Sequence, residues 1–134
     1  MIVRNFMTAI IVTADCDALV VDAAKLMAAE NVGSLIITQK DVLAGIVTRR
    51  DVIAAQLLSD DLYHAQTVED IMTSPVVTVS PDADLGQVIA IMNQTGRRHL
   101  PVIEGDSIIG VVSASDIIRV LATVKLLAEG ASDD

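Results

Sequence analysis

A chain of 134 residues, 52% of them apolar, can bury a core of ordinary domain size, but with no tryptophan and with Tyr63 and Phe6 as its sole aromatic residues that core has to be aliphatic. The formal charge of −9 and a pI near 4.4 exclude nucleic acid as an expected partner: a phosphate backbone would be repelled, and no basic stripe with interleaved aromatics offsets this. A single cysteine, Cys16, excludes an internal disulfide, no Cys/His spacing suits a metal site, and no stretch reaches the roughly 18 apolar residues of a membrane span, so the expectation is a reduced, cytoplasmic protein without a membrane segment or metal.

The first element is a short β-rich segment at 10–13, closed by Asp15-Cys16-Asp17. A helix follows, because Val20, Ala23, Ala24, Met27 and Ala28 recur at spacings of three and four and so share one face. Two apolar runs, 35–38 and 42–48, separated by Gln39-Lys40-Asp41, read as paired strands. Thr48 then caps a helix through Asp51-Val52-Ile53, and 59–66 reads as a linker. The same order returns: a β-rich segment at 76–79, the turn Ser80-Pro81-Asp82, and a helix carrying Leu85, Val88, Ile89 and Met92. Strands at 100–103 and 107–112 come next, with Ser113 capping a last helix through Asp116-Ile117-Ile118, and the tail 130–134 is expected to be disordered.

The two halves are copies. A shift of 65 residues lays Met7-Thr8 on Met72-Thr73, Asp17-Ala18 on Asp82-Ala83, Met27 on Met92, Leu35 on Leu100, Gly45-Ile46-Val47-Thr48 on Gly110-Val111-Val112-Ser113, and Asp51 on Asp116. The fold class expected is α/β of the α+β kind: repeats at 1–58 and 67–129, each strand-helix-strand-strand-helix with a small three-stranded sheet packed on helices. One helix on such a sheet covers only one face, so a lone copy is marginal and the copies should pack by pseudo-twofold symmetry.

The phrases Gly45-Ile46-Val47-Thr48-Arg49-Arg50-Asp51 and Gly110-Val111-Val112-Ser113-Ala114-Ser115-Asp116, with Val68-Glu69-Asp70-Ile71-Met72-Thr73 and His99-Leu100-Pro101-Val102, resemble the cystathionine β-synthase (CBS) domain family over about residues 2–122. Each motif alone is short; their order, repeated at one offset, carries the resemblance. It implies a tandem pair, or Bateman module, with two symmetry-related clefts, often assembled as a homodimer. It also implies AMP, ADP, ATP or another adenosyl ligand such as S-adenosylmethionine as a regulatory ligand rather than a required cofactor, and a regulated partner protein of unknown identity.

The candidate site residues follow from ligand chemistry. Asp51 and Asp116 can accept hydrogen bonds from both hydroxyls of a ribose while staying charged, and Thr48 and Ser113 sit three residues earlier, at helix starts whose free N–H groups favour anionic oxygens. The plainer reading makes the same four residues ordinary helix caps; capping and binding are compatible. Phosphate needs local positive charge, available at Arg97-Arg98-His99 and at Arg49-Arg50. By resemblance, Arg98 and His99 occupy the phosphate-facing place, where the first copy has Gly33-Ser34. An apolar slot for adenine is expected at Thr73, Ser74, Pro75 and Val76 with Val102 or Ile109 nearby, and at Thr8-Ala9-Ile10-Ile11 in the first copy. The first copy departs from the family pattern, with Ile10 in place of Pro75 and Ile36 in place of Pro101, so the second copy's site is the safer expectation.

Catalysis is not expected. Cys16 has no basic neighbour in sequence, and His64 and His99 lie in unrelated contexts. The competing function is a dimerisation or docking platform with empty clefts, resting on the apolar residues Ile117, Ile118, Val120, Leu121, Val124, Leu126 and Leu127 of the last helix.

Overall fold

In the computed structural model, which describes residues 1–132 with side chains through Glu129, strand β1 (Thr13–Asp15) leads through helix α1 (Val20–Glu30) to an antiparallel hairpin of β2 (Ser34–Gln39) and β3 (Val42–Thr48). Helix α1 buries Val20, Ala23 and Met27, the stripe its spacing predicts, and ends at Asn31 in the left-handed conformation. The hairpin pairs Ser34 with Thr48 and Gln39 with Val42, with a bulge between Ile37 and Thr38. Helix α2 (Arg49–Gln56) starts directly from the end of β3, and the expected linker forms a short helix, α3 (Asp60–Ala65), capped by the Ser59 hydroxyl.

Helix α4 (Val68–Ile71) opens the second repeat, and helix α5 (Leu85–Thr95), capped by a reciprocal Asp84/Gln87 box, ends at Gly96 with a φ of 71°. Strands β4 (His99–Glu104) and β5 (Ser107–Ser113) repeat the first hairpin's register, His99 facing Ser113 and the bulge falling between Val102 and Ile103. The last helix, α6 (Ala114–Ser132), runs into the segment for which disorder is expected; 133–134 lie outside the described residues.

The third strand differs between repeats. β1 pairs in parallel with β2 over Thr13–Asp15, later than the 10–13 expected, and two flanking bonds extend it: Ile36 N–H to the Val12 carbonyl at 3.0 Å and Cys16 N–H to the Thr38 carbonyl at 2.9 Å. At the positions of Ile36 and Cys16 the second repeat has Pro101 and Pro81, which lack an N–H. Its third strand therefore shrinks to one bridge, Val79 to Val102, held by Val79 N–H to the Pro101 carbonyl and Ile103 N–H to the Val79 carbonyl, both 3.0 Å. The named sheet there has two strands rather than the three expected.

The opening segments trade places. The chain forms one compact unit from Ile11–Val76 and another from Met1–Ile10 together with the chain from Val77 onward. In the first, Val68 N–H bonds the Ala18 carbonyl at 2.8 Å, and Thr73 exchanges two backbone bonds with Ile46 at 2.9 and 3.1 Å. In the second, Val3 N–H bonds the Ala83 carbonyl and Thr8 exchanges two bonds with Val111, all at 2.9 Å. The cores follow suit: Val68 is buried with Met27, Leu35, Ile37 and Val47, whereas Val3 and Phe6 are buried with Val88, Leu100, Val102 and Val112. Each opening segment thus supplies apolar side chains to a hairpin of the other repeat, covering surface that a lone copy would leave wet.

Candidate functional site

In the unit of Ile11–Val76, the Thr73–Ile46 bridge seats Thr73 beside β3, two residues before the chain turns at Thr48 into α2. Gly45 is buried here because the Met72 side chain occupies the space a Cβ would need. Thr48 and Asp51 form a capping box: Thr48 N–H donates to Asp51 Oδ2 at 2.8 Å, the Thr48 hydroxyl donates to the same oxygen at 3.1 Å, and Asp51 N–H reaches Thr48 Oγ1 at 3.4 Å. Among the described residues nothing donates to Asp51 Oδ1, and the residue is half-buried. The sequence expectation of a cap and an acceptor in one side chain is compatible with this arrangement. Arg49 and Arg50 are exposed on the first turn of α2.

A hollow of about 280 Å³ in this unit lies elsewhere, between Met27 and Ala28 of α1 and Val52 and Ile53 of α2; neither Thr48 nor Asp51 lines it.

The other unit repeats the arrangement with different chemistry. The Thr8–Val111 bridge seats Thr8 beside β5, and Gly110 is again required, since a Cβ there would lie 2.8 Å from the Thr8 carbonyl oxygen and 2.7 Å from Met7 Sδ. Ser113 N–H donates to Asp116 Oδ2 at 2.8 Å and Asp116 N–H to Ser113 Oγ at 3.2 Å. Asp116 is only 2% exposed, the one buried charged side chain among the described residues. Its Oδ1 accepts from Arg119 Nη2 at 2.7 Å and from the Thr8 hydroxyl at 3.2 Å.

The remaining candidates take these places. His99 is half-buried in β4 across from Ser113, and the Arg98 carbonyl accepts the first N–H of α6, that of Ala114, at 2.9 Å. Arg97 and Arg98 are exposed, and Pro101 is buried across from Val111. Thr73, Ser74, Pro75 and Val76 do not join the unit of Val102, Ile109 and Asp116; they share a unit with Thr48 and Asp51, while Thr8 shares one with Ser113 and Asp116. The reason is the exchange of opening segments, which pairs Thr73 with Ile46 and Thr8 with Val111, contacts distant in sequence that no local pattern distinguishes. Arg119 was not among the sequence candidates. The available signal was a basic residue three positions after Asp116 on one helix, a spacing that places both on the same face.

The comparisons agree with this architecture. The CBS domain profile matches residues 3–58 and 68–123. The CBS domain-containing protein CBSX3, mitochondrial, of Arabidopsis thaliana is 34% identical over 108 residues, covering 77% of this chain; the chain spans 52% of that relative's length. Among solved structures, the CBS domain pair of protein MJ0100, in complex with 5′-methylthioadenosine and S-adenosyl-L-methionine, is similar at a TM-score of 0.82 and 26% identity, over 92% of this chain and 97% of that one. A hexameric CBS-CP12 protein from bloom-forming cyanobacteria matches at a TM-score of 0.80 and 32% identity, over 88% of this chain and 69% of its own. Two profile matches at the two repeats, each on a hairpin followed by a Thr/Ser-x-x-Asp helix start, show that the chain belongs to the CBS domain family as a tandem CBS pair.

Proposed function

We propose that this CBS pair is a non-catalytic regulatory module of the cytoplasm that binds an adenosyl ligand, AMP, ADP, ATP or S-adenosylmethionine, and reports its presence to a partner protein through conformation. The observation carrying this reading is that each unit combines a carboxylate at a helix start with an opening segment docked on the same hairpin: Asp116 accepts from the Thr8 hydroxyl, and Asp51 follows the strand whose Ile46 bridges Thr73. A ribose diol suits the carboxylate, and helix N–H groups with Arg49 and Arg50, or with Arg98 and His99, suit phosphate. The adenosyl ligands of the MJ0100 pair support the same class. Because the site spans an opening segment and the hairpin it docks on, ligand binding strengthens that docking, and this is the energetic handle by which occupancy becomes a change of state.

A thermal-shift panel with AMP, ADP, ATP, S-adenosylmethionine and NAD tests this. Ligand that binds only the folded state raises Tm, by an amount corresponding to about 2.7 kcal/mol when present at a hundred times its Kd. At least one adenosyl compound should shift the melt at millimolar concentration.

The second reading, a homodimerisation or docking platform with empty sites, rests on exposed apolar side chains: Ile118, Leu121, Val124, Leu126 and Leu127 of α6 are 47–71% exposed. A flat ligand panel together with a dimer in sedimentation would favour it.

A further inference from the structure

The two carboxylates differ in what already occupies them. Each carboxylate oxygen offers about two acceptor sites. At Asp51 both donors, the Thr48 N–H and hydroxyl, converge on Oδ2, and among the described residues Oδ1 receives none. At Asp116, Oδ2 accepts from Ser113 N–H at 2.8 Å and from the Thr8 hydroxyl at 3.4 Å, and Oδ1 accepts from Arg119 at 2.7 Å and from Thr8 at 3.2 Å. Since Asp116 is 2% exposed, a diol arriving there finds its acceptor taken.

The occupant that matters is Arg119. Its bond to Oδ1 is between full charges and therefore about twice as strong as a neutral one. Its head, however, is anchored to little else among the described residues: the side chain is 63% exposed, and its hydrogen bond to the Phe6 carbonyl is long, at 3.5 Å. It can be displaced into water, but only by a ligand that gives up binding energy to do it. At the position matching Arg119 the first repeat has Ala54, which can make no such bond.

We propose that Arg119 competes with the ribose diol for Asp116, making the two sites unequal, so that the Asp51 site fills first and the Asp116 site only at higher ligand. This rests on the adenosyl-ligand reading above. The inequality is built from one largely exposed side chain of α6 and gives a module whose two sites respond over different concentration ranges.

The test is calorimetry on the full chain with AMP and with adenosine, which lacks the phosphate. In an Asp51→Asn background, adding Arg119→Ala should tighten both probes by about tenfold or more, the scale of one charge-assisted hydrogen bond. The reciprocal graft, Ala54→Arg in the otherwise native chain, should weaken the tighter of two steps by a similar factor. This second variant leaves the Asp116 cluster untouched and keeps the test alive if Arg119→Ala melts the helix start. Affinity that ignores both substitutions overturns the competition. So does an Arg119→Ala variant that loses AMP but not adenosine, since Arg119 would then be a phosphate ligand. No heat from either probe with any form, the native chain included, would instead remove the adenosyl-ligand reading on which this stands.

Discussion

At the scale of single residues, one side chain carries two tasks. Asp51 closes a capping box on α2 with one oxygen and keeps the other available, and the Thr48/Asp51 and Ser113/Asp116 spacing made both pairs visible in the sequence as caps. What the sequence could not show is which donors converge on each acid, because Thr8 reaches Asp116 from 108 positions away. Cys16 shows the opposite case, a reactive residue type in an inert setting. Burial raises its thiol pKa, and the neighbouring carboxylates of Asp15, Glu69 and Asp17 raise it further by disfavouring a thiolate. At neutral pH the native protein should therefore react slowly with a disulfide reagent such as Ellman's and rapidly once unfolded in guanidinium; fast native labelling would show that the thiol is not held in this way.

At the scale of elements, glycine and proline decide where the repeats diverge. Gly45 and Gly110 both let an opening segment lie against a strand, but the nearest neighbours of a methyl at Gly45 are side-chain atoms of Met72, whereas at Gly110 they include a backbone oxygen of Thr8 at 2.8 Å. Gly110→Ala should thus lower Tm clearly more than Gly45→Ala, with a cost of about 1–3 kcal/mol as for other overpacked sites, read from paired thermal melts. Equal melts would mean the Thr8 segment yields without cost. The hairpins were legible because their alternation and turns recur at one offset. The shortened third strand was legible in principle as well, since Pro81 and Pro101 stand where the first repeat uses N–H donors; the repeat pattern hid this by suggesting that equal positions make equal strands.

At the scale of the whole molecule, the duplication and the folding units are out of step. The sequence repeats as 1–58 and 67–129 by pattern, yet contacts gather 11–76 into one unit and join residues 1–10 to the chain from Val77 onward. Pattern reading cannot see this, because the opening segments of the two copies look alike and either could fit either hairpin; the choice is made by long-range docking of Val3, Phe6 and Val68. A fragment of residues 11–76 carries all of its core and should melt cooperatively by circular dichroism, while a fragment cut at the repeat boundary, 1–58, lacks Val68 and should not. The reverse result would place the folding boundary at the repeat. This connectivity makes the Asp51 unit a guest spliced into a host. Both residue 1 and residue 132 belong to the host, so tension transmitted along the chain from neighbours on either side would be borne by the unit holding Asp116, and the guest would stay slack until its host had opened.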